Sequence, residues 1–144
     1  MLSEVLIALI FVSLCMLLHL FGLLFLANRL LRHREYFEET ASMSQLGFVL
    51  ILLFSLLLVL HLAETCLWAL LYYMRGLFPE FETSLYFSLG TYTTIGYGDV
   101  VLPKSWRLLG AIEGISGVLL CGVSTAFLFT ILNAMFQIRV RTRY

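Results

Sequence analysis

The stretch "TYTTIGYGDV", residues 91–100, stands apart from everything around it. It crowds threonine and tyrosine hydroxyls, two glycines one residue apart and an aspartate into a chain that is otherwise Leu, Ile, Val and Phe. Of the 144 residues, 61% are hydrophobic and only 12% charged, against about a quarter charged in soluble domains. A single small domain cannot hide that much apolar surface from water, so lipid is the expected solvent. Nine basic residues balance nine acidic ones, so no excess charge points to nucleic acid.

Three apolar runs occupy most of the chain. The first, 5–31, is interrupted by His19, Asn28 and Arg29; the second, 46–74, by His61 and Glu64; the third, 108–138, by Glu113, Asn133 and Gln137. Each exceeds the roughly 20 residues a helix needs to cross the hydrocarbon core. A segment in lipid must satisfy its own backbone, so each run is expected to be a transmembrane helix. The N-terminus has Glu4 and no basic residue, and its run is too long for a cleaved signal peptide. Cys15, Cys66 and Cys121 lie inside the runs without C-x-x-C spacing, which reads as small buried hydrophobes, not a metal site or disulfide.

Charge position sets the expected orientation. Residues 32–45 read as an amphipathic surface loop, with Arg29, Arg32 and Arg34 followed by Glu35, Glu38 and Glu39. The tail, 139–144, carries Arg139, Arg141 and Arg143, whereas Arg75, Lys104 and Arg107 flank the quoted stretch. With the loop and tail cytoplasmic, basic residues lie mainly inside, the C-terminus is cytoplasmic and the N-terminus outside. Segment 75–105 then faces outward.

That segment is too long for a tight turn and too apolar for a solvated loop. Pro79, Glu80 and Glu82 mark a helix start, since Pro suits a first turn and acids meet its positive dipole end. A short helix over 80–93 is expected, ended by Thr93, Thr94 and Gly96. Non-helical backbone returning from membrane depth is tolerated only where it is buried in protein or lines a watery cavity. The pattern predicts a re-entrant loop.

Thr94-Ile95-Gly96-Tyr97-Gly98-Asp99 resembles the signature of the potassium channel family, whose T-V-G-Y-G loop is the standard carbonyl-lined selectivity filter. The resemblance spans about 46–138 and is to the minimal prokaryotic pore domain, with one extra leading helix. It implies an outer helix over 46–74, a pore helix over 80–93, a filter over 94–99 and an inner helix over 106–138, after an N-terminal helix over 1–31. The fold class is all-α, three transmembrane helices plus the re-entrant pore helix and filter. Carbonyls of Thr94, Ile95, Gly96, Tyr97 and Gly98 would replace the hydration shell of K⁺ ions, and no organic cofactor is implied. Gly96 and Gly98 supply backbone angles that other residues resist. One such loop per chain implies that three further copies complete the ring, a homotetramer in a cell membrane such as the bacterial inner membrane. No nucleophile–base pair, P-loop or zinc-ligand spacing points to an enzyme. The first run lacks a voltage sensor's Arg repeat, and no ligand-binding domain is expected after the inner helix.

Several positions depart from that family. Where many relatives carry two pore-helix tryptophans, this chain has Tyr86 and Phe87, so Tyr97 needs another partner or an outer-mouth water. Where some bacterial relatives carry a Glu behind the filter, it has Gly90, so Asp99 is expected to lack that carboxyl partner. Glu113 is the candidate substitute, facing the pore helix and bonding Ser or Thr hydroxyls or amides near Gly90; the alternative is a carboxylate reaching the outer interface. His61 and Glu64 share a helix face at i, i+3 and read as a packing pair, with a proton sensor as the alternative, or with Glu64 reaching toward Arg75 or an adjacent subunit. His19 reads as a packed or interfacial residue. Gly117 and Gly122 are candidates for a hinge or for close packing. Leu119, Gly122 and Ala126 are expected to line the cavity, and Asn133, Met135 and Phe136 the cytoplasmic gate. The function expected is a potassium-selective channel, the alternatives being a weakly selective cation channel or a non-conducting membrane subunit.

Overall fold

The computed structural model describes residues 2–32 and 42–141. Four helices follow one another: α1 (Leu2–Arg32), α2 (Met43–Met74), α3 (Phe81–Tyr92) and α4 (Arg107–Arg141), with one 3-10 turn at Lys104–Trp106 leading into α4. No sheet-paired β-strand occurs among the described residues. Three stretches are long and apolar enough to cross a membrane: Leu2–Arg32, Met43–Met74 and Lys104–Gln137. The amphipathic loop expected at 32–45 falls largely outside the described residues, as does the end of the basic tail at 142–144.

Local chemistry sets the helix ends. α2 starts three residues before the apolar run because Ser42 and Gln45 form a capping box. The Gln45 N–H donates to Ser42 Oγ at 3.3 Å, and the Ser42 N–H donates to Gln45 Oε1 at 2.7 Å, which satisfies two otherwise orphaned donors. The S-x-x-Q spacing was present in the sequence. α3 begins at Phe81, with Glu80 extended at the N-cap and Glu82 in the first turn. Pro79 thus lies just ahead of the helix, not inside its first turn. α3 stops at Tyr92, where Thr93 is the cap and sends its N–H and its hydroxyl back to Leu89 O, the latter at 2.6 Å.

The short α3 is wedged between α2 and α4, and α1 lies against α4 and α2. Two apolar clusters hold the bundle. One gathers Cys15, Trp68, Tyr72, Phe78, Tyr92, Leu109 and Leu120 around the pore helix. The other joins Leu23, Leu26, Leu53 and Leu57, with Phe127, Leu128 and Ile131 packed on it. Serine and threonine hydroxyls on outward faces bond within their own helix: Ser13 to Leu9 O, Ser55 to Ile51 O and Thr130 to Ala126 O, at 2.8, 2.9 and 2.8 Å. Such bonds spare an exposed polar group in lipid.

Candidate functional site

The quoted stretch leaves α3 and turns into a strand of unusual backbone. Thr94, Gly96 and Gly98 all have positive φ, at 61°, 55° and 80°, while Ile95 and Tyr97 between them do not. Alternating left- and right-handed backbone turns successive carbonyls toward one side, which ordinary strands do not. Glycine takes the left-handed setting without steric cost; Thr94 takes it against its Cβ. The strand is tied to α3 by the Gly96 N–H to Gly90 O and the Thr94 N–H to Thr91 O, both at 3.0 Å. Residues 93–99 are exposed in the single subunit.

The Asp99 end of this segment is held by an aromatic pair. Tyr97 stacks on Tyr86, ring centroids 6.1 Å apart at 12°. The Tyr86 hydroxyl donates to Asp99 Oδ2 at 2.8 Å, and the Val100 N–H donates to Asp99 Oδ1 at 3.0 Å. Asp99 therefore does have a side-chain partner despite Gly90. The bond from Tyr86 holds its carboxyl below the usual carboxylate range and raises the Tyr86 phenol above its ordinary value. Phe87 turns the other way, edge-on to Tyr72 at 5.3 Å and against Phe78 at 5.1 Å. A small cavity of about 190 Å³ remains behind the strand, lined by Tyr86, Gly90, Tyr97 and Asp99 among others.

Glu113 is fully buried and points into the protein, not to the interface. It accepts from the Tyr72 hydroxyl at 2.6 Å and from the Ser88 hydroxyl. Ser88 also reaches Thr65 O at 2.9 Å. The carboxyl thus ties α2, α3 and α4 together at mid-pore-helix, two residues from Gly90. Tyr72 and Ser88 were not singled out in the sequence; an expensive intramembrane carboxylate needing donors was the signal that could have found them.

Glycines on α4 let the pore helix approach. A Cβ on Gly117 would lie 2.1 Å from Tyr92 O, one on Gly114 3.2 Å from Thr91 O, and one on Gly110 3.3 Å from Phe87 Cζ. Gly117 is a packing glycine here. A Cβ on Gly122 meets nothing within 4 Å. Leu119, Gly122 and Ala126 are all exposed on α4, and Phe136 is exposed near its end. Above them a groove of about 620 Å³ runs between the back of the filter and α4, lined by Thr91, Thr94, Gly96, Gly114, Val118 and Leu119 among others.

Below Tyr92 a second polar group sits between the two apolar clusters. Glu64 is fully buried and lies 2.7 Å from His19 Nδ1 and 3.1 Å from His61 Nδ1. The Tyr92 hydroxyl donates to it as well. His61 and Glu64 do pair as their spacing allowed, and His19 joins them from α1. Arg75 is elsewhere, over the Trp106 ring at 5.7 Å. All three cysteines are free, Cys15 buried and the other two exposed.

A family model described as "ion channel" matches residues 48–134, a span that takes in α3, the filter and most of α2 and α4. A 65-residue segment is 40% identical to the calcium-gated potassium channel TvoK of Thermoplasma volcanium, covering 44% of this chain and 18% of that protein. The chain therefore spans about a fifth of that relative's length. No solved structure matches. With a segment of alternating handedness seated between two spanning helices, and a family match over more than half its length, the protein belongs to the ion channel family.

Proposed function

We propose that the chain forms a homotetrameric, potassium-selective channel that passes K⁺ passively down its electrochemical gradient. The observation that carries this reading is the alternation of φ at Thr94, Gly96 and Gly98 within T-I-G-Y-G-D. Carbonyls turned to one side in each of four chains form stacked oxygen rings that substitute for an ion's hydration shell. One subunit leaves this strand and the α4 face at Ile115, Val118 and Leu119 exposed. Filter backbone cannot face lipid, so neighbouring copies are its natural cover.

The supports have distinct tasks in this reading. Glu113, through Tyr72 and Ser88, fixes the height of the pore helix, while Tyr86 and Asp99 pin the outer mouth. Gly90 supplies a carbonyl to the Gly96 amide and leaves space behind the filter. The C-terminal end of α3 points its negative dipole end toward the cavity, where it favours a cation. Leu119, Gly122 and Ala126 face that cavity, and Phe136 lies at the cytoplasmic gate. In this reading the N-terminus lies outside and the C-terminus in the cytoplasm of a cell whose plasma membrane holds the channel, which the distribution of basic residues supports. Purified protein in liposomes, under opposed K⁺ and Na⁺ gradients, tests the reading. A reversal potential near that of K⁺, with block by Ba²⁺, is expected; equal permeability, or silence at every voltage, would overturn it.

A further inference from the structure

The buried polar group beneath the pore helix closes on itself. Glu64 Oε1 meets His19 Nδ1 at 2.7 Å, and His19 Nε2 meets Ser124 Oγ at 3.1 Å. Ser124 Oγ meets His61 Nε2 at 3.0 Å, and His61 Nδ1 returns to Glu64 Oε2 at 3.1 Å and the Tyr92 hydroxyl at 3.0 Å. Tyr92 completes the set by donating to Glu64. The ring draws one residue from α1, two from α2, one from α3 and one from α4. His19 and Glu64 have no exposed surface, and Tyr92 and Ser124 very little.

Each contact needs one proton between its two heavy atoms. With Glu64 ionised and both histidines neutral, the groups supply one proton from Tyr92, one from Ser124 and one from each imidazole. Those four protons face five contacts, if the His61 Nδ1 proton is shared between Glu64 and Tyr92. One contact is left as two opposed lone pairs in a buried, low-dielectric place, where unmade bonds are costly. A single added proton completes every contact. On Glu64 it is donated to His19, whose Nε2–H then donates to Ser124; on His19 it makes an imidazolium with both nitrogens donating. The two assignments are one coupled titration.

The same ligand types could in principle hold a metal ion, since His19, His61 and Glu64 converge. Their contacts of 2.7 and 3.1 Å are closer than the roughly 3.3 Å between ligands of a tetrahedral ion with bonds of about 2.0–2.1 Å. The ring is drawn in on protons.

We propose that this ring is a binding site for one excess proton per subunit, and that its occupancy sets how firmly α1 and α4 hold the base of the filter. Tyr92 is the link: its hydroxyl is in the ring, its backbone rests on Gly117, and it precedes Thr94 by two residues. Acid completes the ring and favours the conducting filter; raising pH opens one contact and disfavours it. The titratable groups facing the ring are Cys15 of α1, Tyr92 of α3 and Cys121 of α4, beside the two histidines and Glu64 of the ring itself, with Glu113 further along α4. The effect on conduction rests on the potassium-channel reading; proton occupancy does not.

Two measurements on the full chain in lipid test this. The ¹⁵N spectra of the His19 and His61 imidazoles, resolved from that of His33, should show on acidification across about pH 5 to 9 either a second ring proton on His19 or its single proton moved from Nδ1 to Nε2, the signatures of the added proton on His19 or on Glu64. In Ser124→Ala both Nε2 contacts vanish, the two neutral histidines satisfy Glu64, and that proton should disappear with them. Ionic current through the reconstituted channel should show open probability falling as pH rises, by up to about tenfold per pH unit for each subunit's linked proton. The slope should flatten in Ser124→Ala. In Tyr92→Phe it should also flatten, while the spectra keep the extra proton. Spectra of His19 and His61 that do not change with pH, or a wild-type slope retained in Ser124→Ala, overturn the proposal. Spectra that titrate in a protein silent at every pH sink the conduction reading and leave the proton site standing.

Discussion

Gly117→Ala tests how the pore helix is seated. The added Cβ would stand 2.1 Å from Tyr92 O and 3.0 Å from both Tyr92 C and Cγ. An ordinary contact begins near 3.4 Å, so the end of α3 and α4 must separate by about 1.3 Å, and α3 delivers its backbone straight into Thr94. Tyr92 cannot rotate out of the way, because the obstructing atom is its own carbonyl and its side chain is held by Glu64 and His61. Overpacking of this kind costs about 1–3 kcal/mol, roughly a 5- to 150-fold loss in the population of the native arrangement per subunit. Thermal dissociation of the proposed tetramer on a gel, together with Ba²⁺-sensitive K⁺ flux in liposomes, reads both stability and conduction. Gly122→Ala is the internal control: its Cβ meets nothing, so it should gain about 0.5–1 kcal/mol of helix stability and leave the dissociation temperature unchanged or raised. A Gly117→Ala protein with wild-type melting and flux would refute the close-packing account and return Gly117 to the role of a hinge.

Glu113→Gln keeps the shape but exchanges a carboxyl that accepts from Tyr72 and Ser88 for an amide with donors facing donors, and should lower tetramer stability by about 1–3 kcal/mol; unchanged melting would remove the brace. Tyr86→Phe deletes the bond that holds the Asp99 carboxyl below its ordinary range. A depressed native pKa stabilises above the unfolded value and loses that benefit as pH falls through the native one, so acid block from outside should move to higher pH in the variant; an unmoved midpoint would refute the pairing. Gly90→Ala places a Cβ 3.9 Å from Tyr97 Cδ2, an ordinary contact, and should conduct normally with a gain of about 0.5–1 kcal/mol in helix stability; lost flux would show that the space behind the filter is needed.

Much of this architecture was legible because lipid simplifies the rules. Three runs beyond the spanning length could only be helices, and a polar, glycine-bearing interruption between two of them reads as a re-entrant loop that is buried in protein or lines a watery cavity. The letters Thr94 to Gly98 carry their own backbone geometry, since positive φ at alternate positions is what glycine exists to permit. Glu113 was legible as a group in need of a partner, because an intramembrane carboxylate is expensive.

Which partner it found was not. Tyr72 and Ser88 lie 41 and 25 residues away from Glu113, and nothing in a helical period says how two helices are rotated about their axes. Between helices in lipid no hydrophobic drive sorts faces, and rotation is settled by small-residue packing and by polar pairing. The same holds for His19, which joins Glu64 across 45 residues and Ser124 across 105; alone on α1 it read as a packed side chain. Gly117 and Gly122 look alike in sequence, yet one receives the pore helix backbone and the other faces open space. The sequence by itself determined the spanning helices and the filter strand, because those follow from local backbone needs in lipid. Only the tertiary structure decided the brace at Glu113, the ring at Glu64 and the seat at Gly117, because each is a contact between helices whose mutual rotation is set by packing and polar pairing across the chain, not by local backbone needs.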